Sequence, residues 1–148
     1  MVLEATVSHS FPVAAERVYD AWLDPLLIGQ WMFGPKVRDE QVVSIEIDPK
    51  VGGQFSFLVN RQNTVIDHVG RYLILDRPRR LEFEWGVKGM SDNSRVIVDI
   101  EPNSSGCKVN LTHELHPDWA EYYDRAREGW LMMLGILSEL LAKESPAL

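Results

Sequence analysis

The stretch Asp118–Lys143, DWAEYYDRAREGWLMMLGILSELLAK, constrains the fold more than any other part of the chain. Trp119, Tyr122/Tyr123, Ala126, Trp130, Met133/Leu134, Leu137 and Leu140/Leu141 recur three and four residues apart, which predicts an amphipathic helix. At 1.5 Å per residue it is roughly 37 Å long, too long to cross only a strand or two. Asp118 followed by Glu121 predicts a capping box at its start, and Ser145-Pro146 its end. Gly129 and Gly135 fall inside it, each costing about 1 kcal/mol relative to alanine. Close backbone approach to the sheet or to another helix is the expected compensation.

The remaining chain supplies a broad surface for that helix. Leu3–Phe11 predicts a first strand, and the Pro12–Glu16 segment turns into a helix carrying Val18, Ala21 and Trp22 on one side. Asp24-Pro25 starts a second short helix, Pro25–Trp31, with aspartate as cap and proline at its first position. Beyond Lys36 the period becomes two. Val43, Ile45 and Ile47 form one inward row, Phe55, Phe57 and Val59 the next, and Thr64–Leu75 reads as a strand. Leu81, Phe83 and Trp85 alternate with Glu82 and Glu84, which are expected on a solvated face. After a Gly86–Ser94 hairpin come Val96, Val98 and Ile100, then Val109, Leu111, His113 and Leu115. Short polar turns between these runs predict an antiparallel meander with one apolar face, hence an α+β fold. One domain over residues 1–148 is expected.

Charge and cysteine content narrow the function classes. A net charge of −7 disfavours nucleic acid and anionic membranes as partners, because phosphate binding needs clustered cations. Arg77-Pro78-Arg79-Arg80 is the one dense basic run. The single cysteine, Cys107, excludes an internal disulfide; it follows a glycine turn, where it could be exposed. With neither a leader pattern nor a membrane-length apolar run, the cytoplasm is the expected compartment. His113 and His116 lack both the helical spacing and the third ligand of a zinc site, so no metal is expected, and no cofactor motif is present. Asp67 and His68 are neighbours on a strand, point to opposite faces and form no dyad; no catalytic residue is assigned.

Phe11–Trp22 (FPVAAERVYDAW), Trp31–Pro35 (WMFGP), Asp48–Phe55 (DPKVGGQF), Gly70–Trp85, Leu111-Thr112-His113 and Gly129-Trp130 together resemble, in order, the bacterial proteins related to the activator of Hsp90 ATPase. That family belongs to the START-like, Bet v 1-like helix-grip superfamily. The resemblance implies a curved antiparallel sheet wrapped around a long C-terminal helix, with two short helices after the first strand. In many relatives a histidine stands three residues before the Gly-Trp pair, where this chain has Ala126. The family's namesake co-chaperone carries a separate domain that engages the chaperone, without a counterpart before Met1, so Hsp90 binding is not expected from the name alone.

The resemblance also implies a cavity between sheet and helix that relatives use for lipids, hormones or polyketides. Aromatic residues at strand and helix spacing ordinarily fill a core, but a strongly bent sheet leaves space that rings can line. The candidate cavity residues are Trp31, Phe33, Phe55, Phe57, His68, Tyr72, Phe83, Trp85, Trp119, Tyr123, Trp130 and Met133. His68, Tyr72 or Tyr123 would orient a polar end. The leading expectation is a domain that binds a small apolar or amphipathic ligand. A cyclase or hydratase acting in the same cavity is one alternative. A co-chaperone-like interaction domain is the other, with Met132 and Ile136 on a partner or homodimer surface if exposed.

Overall fold

The computed structural model describes residues 3–90 and 94–144. The Ser145-Pro146 helix stop and the tip of the Gly86–Ser94 hairpin lie outside them. Strand β1 (Leu3–Phe11) leads into helices α1 (Ala15–Ala21) and α2 (Pro25–Trp31). Six strands follow: β2 (Gln41–Ile47), β3 (Gln54–Arg61), β4 (Thr64–Asp76), β5 (Arg80–Val87), β6 (Ser94–Asn103) and β7 (Gly106–Leu115). A 3₁₀ segment, Pro117–Tyr122, precedes α3 (Tyr123–Glu144). All strand pairs are antiparallel, in the order β1-β7-β6-β5-β4-β3-β2. This is the helix-grip α+β architecture, a curved seven-stranded sheet holding one long helix.

Local chemistry explains the ends of the elements. The Asp24 carboxylate accepts from the amides of Leu26 and Leu27, and Pro25 occupies the first turn of α2. Gln62 and Asn63, at φ 52° and 67°, form the two-residue turn whose handedness suits the β3–β4 hairpin. Gly70, paired with Phe55, runs so close to β5 that a side chain there would strike the Glu84 carbonyl and the Phe55 ring. That approach lets the sheet fold over its apolar face.

Inward residues of every strand meet Trp130, Met133, Leu134, Leu137 and Leu141 of α3 and the buried sides of α1 and α2 in one core. A smaller cluster joins Ala5 and Leu115 to Ala126, with Leu3, Trp119 and Tyr123 against it.

Four expectations need correction. The start of the long helix is capped by His116, whose Nδ1 accepts from the Asp118 amide, rather than by Asp118; Trp119, at φ −100° and ψ 20°, then breaks the run, so α3 begins at Tyr123. A bulge between Val42 and Ser44 adds one residue to β2, turning Val43 outward and Val42 toward the core. Glu82 is buried rather than solvated, because Arg80 (2.7 Å) and Arg95 (3.3 Å) close over its carboxylate. Cys107 is fully buried on β7, and burial raises its thiol pKa.

The basic run is largely paired. Arg77 forks onto both Asp20 oxygens at 2.8 and 2.9 Å, and Arg80 also reaches Asp99 at 2.7 Å.

Candidate functional site

A cavity of about 510 Å³ opens between the first half of α3 and the sheet. Met32 and Phe33, which follow α2, wall one side, while β4 and β5 contribute Ile66, His68, Trp85, Gly86 and Val87. The helix presents Ala126, Gly129, Trp130 and Met133. An aromatic row runs along it. Phe33 lies 4.8 Å from His68, His68 5.4 Å from Trp85, Trp85 5.9 Å from Trp130, and Trp130 6.0 Å from His113, centroid to centroid.

Six of the twelve expected cavity residues line this space: Phe33, His68, Trp85, Trp119, Trp130 and Met133. The other six do not. Trp31 is fully buried, its indole N–H donating to the Ala21 carbonyl at 3.2 Å and its ring edge-on to Trp22. Phe55, Phe57, Tyr72 and Phe83 pack together at the opposite end of the sheet, around a void of about 10 Å³. Tyr123 turns to the cluster with Ala5 and Leu115, and Tyr122 faces the cavity instead. The short helices fill one end of the grip; among the described residues, the end beside Gly129 stays open.

The glycines of α3 contradict the close approach expected of them. Among the described residues, a Cβ on Gly129 or Gly135 would meet nothing within 4 Å beyond the helix's own adjoining turns. At Gly129 the missing side chain leaves room in the cavity, and Ala126 one turn earlier adds to it. Met132 is 44% exposed, whereas Ile136 packs against the core.

Sequence reasoning missed most of the polar lining: Arg38, Arg61, Ser94, His113, His116 and Arg125. His113 is buried on β7. The Trp130 indole N–H, which can only donate, meets His113 Nδ1 at 3.1 Å. The proton of His113 therefore sits on Nε2, which donates to Ser94 Oγ at 2.7 Å, and that hydroxyl donates to the Trp85 carbonyl at 3.0 Å. In this arrangement His113 cannot take the Ser94 proton, so the pair is not an activated nucleophile. Burial lowers the His113 pKa to about 4.

At the other end His68 Nδ1 lies 3.3 Å from the Phe57 carbonyl, to which it donates, leaving Nε2 as an acceptor. Its pKa is also lowered to about 4, chiefly by burial. Beside it the carboxylate of Glu40, with no exposed side-chain surface, receives Arg38 at 3.0 Å, Arg61 at 2.7 Å and the Gly34 amide at 2.9 Å. Among the described residues, no group of three or more potential metal ligands comes together, and no helix is long and apolar enough to cross a membrane.

Several solved structures share this fold. A protein from Nitrosomonas europaea superposes with a TM-score of 0.83 at 18% identity, covering 96% of both chains. One from Chromobacterium violaceum gives 0.79 at 20% identity, over 93% of this chain and 96% of that one. An AHSA1-like protein from Aeromonas hydrophila gives 0.77 at 19% identity, over 96% and 94%. No curated protein matches the sequence significantly. The family model described as "Activator of Hsp90 ATPase homolog 1-like protein" matches residues 12–142, nearly the whole described fold, and the chain belongs to that family.

Proposed function

We propose that this domain binds a small, largely apolar molecule between α3 and the sheet. The observation that carries the reading is the cavity of about 510 Å³ beside Gly129, walled by Phe33, Trp85, Trp130 and Met133. That volume falls in the range of small-molecule sites. A guest hiding ~200 Å² of apolar surface gains about 5 kcal/mol at 25 cal/mol per Å².

A catalytic reading has less support. It needs an acid–base pair reaching the substrate, and the Ser94–His113 contact in the cavity has its proton on the wrong nitrogen for that work.

Trp85, Trp119 and Trp130 line the cavity, so intrinsic emission is a direct readout. Titration with a panel of acyl-chain and aromatic compounds is expected to give a saturable change in emission with at least one of them. A flat response to every compound up to its solubility limit would overturn the reading.

A further inference from the structure

The chain carries 22 acidic residues against 15 basic ones. The cavity reverses that balance: Arg38, Arg61 and Arg125 line it, and among the described residues no aspartate or glutamate does. Glu40 lies behind two of these arginines with both oxygens engaged. Oε1 receives Arg61 Nε (2.8 Å) and Nη2 (2.7 Å), while Oε2 receives Arg38 Nη1 (3.0 Å) and the Gly34 amide (2.9 Å). One carboxylate therefore holds two guanidinium groups, and the trio keeps one excess positive charge at the cavity wall. Donors remain to be used. Among the described residues Arg38 Nη2 meets only the thioether of Met133 at 3.9 Å, a weak acceptor, while its carbon stands 5.7 Å from the Phe33 ring centroid. A guanidinium carries five N–H donors in a planar fork suited to a carboxylate.

We propose that the guest of this cavity is an amphipathic monoanion, its carboxylate-type head held at Arg38 and Arg61 and its apolar body lying along Phe33, Trp85 and Trp130. This rests on the ligand-binding reading above and adds the charge of the head. The head belongs at the guanidinium groups rather than at His68, whose free Nε2 is itself an acceptor. One negative charge brings the trio to neutrality in a partly water-excluded wall, where a paired charge is favoured over an unpaired one. A cationic guest would face the same wall with repulsion.

The test compares octanoate, octanol and octylamine, matched in chain length, by tryptophan emission at neutral pH and low salt. Octanoate is expected to bind about tenfold more tightly than octanol, with octylamine weakest. In Arg61→Gln the preference for octanoate over octanol is expected to disappear while octanol binding is kept. Glu40→Gln, which adds one positive charge to the trio, is expected to tighten octanoate. If octanol binds the unaltered chain as tightly as octanoate, the anionic head is wrong although the apolar cavity stands. If none of the three binds, the anionic head is wrong, and the panel of acyl-chain and aromatic compounds decides the apolar cavity. Should either variant not fold, shown by loss of octanol binding as well, the ranking in the unaltered chain decides alone.

Discussion

Trp130 on α3 and His113 on β7 are joined by an indole N–H donated to Nδ1 at 3.1 Å, both side chains buried. This bond ties the long helix to the sheet at the cavity edge and sets the proton on Nε2 for Ser94. Trp130→Phe keeps an aromatic ring but leaves a buried acceptor without its donor. The expected loss is about 2 kcal/mol in urea unfolding, from the stranded nitrogen and the smaller ring. A loss below about 0.5 kcal/mol, typical of surface substitutions, would contradict the role given to this bond.

His68 and His113 are held neutral by burial, with pKa values of about 4 against the ordinary 6.5. The unfolded chain takes up these protons near pH 6.5, earlier on acidification than the folded one. Stability from this source is thus fully present above pH 6.5 and is lost as pH falls toward 4. The full loss is about 3 kcal/mol per histidine. Urea unfolding across that window, with NMR titration of the imidazole resonances, checks it. Buried rings titrating near pH 6.5 would be the contrary result.

Gly135 sits mid-helix with open space where a Cβ would go. Gly135→Ala is expected to stabilise by about 1 kcal/mol through helix propensity alone. The matching rise in Tm is about 2–4 °C. A fall in Tm would mean that something does approach this backbone.

The Tyr72 hydroxyl is buried without a hydrogen-bond partner among the described residues, and burial pushes its pKa up. Tyr72→Phe removes that unsatisfied group while keeping the ring against Phe55 and Phe83. Thermal melting is expected to show stability unchanged or raised by up to about 1 kcal/mol. A clear loss would show that the hydroxyl is bonded.

Periodicity made the fold legible. Alternation in Leu81-Glu82-Phe83 and three-four spacing around Trp130 follow directly from strand and helix geometry. The bulge at Val42 and the break at Trp119 did not show, because each is a local irregularity inside an otherwise regular pattern. Five of the twelve expected cavity residues fell at the filled end, since aromatic spacing cannot say which end of the sheet the short helices cover. The missed polar residues did leave a signal. Arg61 continues the inward row Phe55, Phe57, Val59; Ser94 precedes Val96 and Val98 in the same phase; His113 lies between Leu111 and Leu115. A polar side chain in an inward row, at the end of a strand, marks where the core gives way to a cavity. Arg38, in the turn before β2, had no row to join.

The central claim is that the space beside Gly129 is a binding chamber. Gly129→Leu fills it from the helix side, where a Cβ meets no obstacle and leucine favours the helix more than glycine does. Affinity of the unaltered chain and of this variant should be measured by tryptophan emission, using the tightest compound found in the octanoate series or the wider panel. The expected result is a variant at least as stable as the unaltered chain whose affinity is weaker by about tenfold or more, a loss of roughly 1.4 kcal/mol. Equal affinity in the variant, or no saturable binding by the unaltered chain, would contradict the claim.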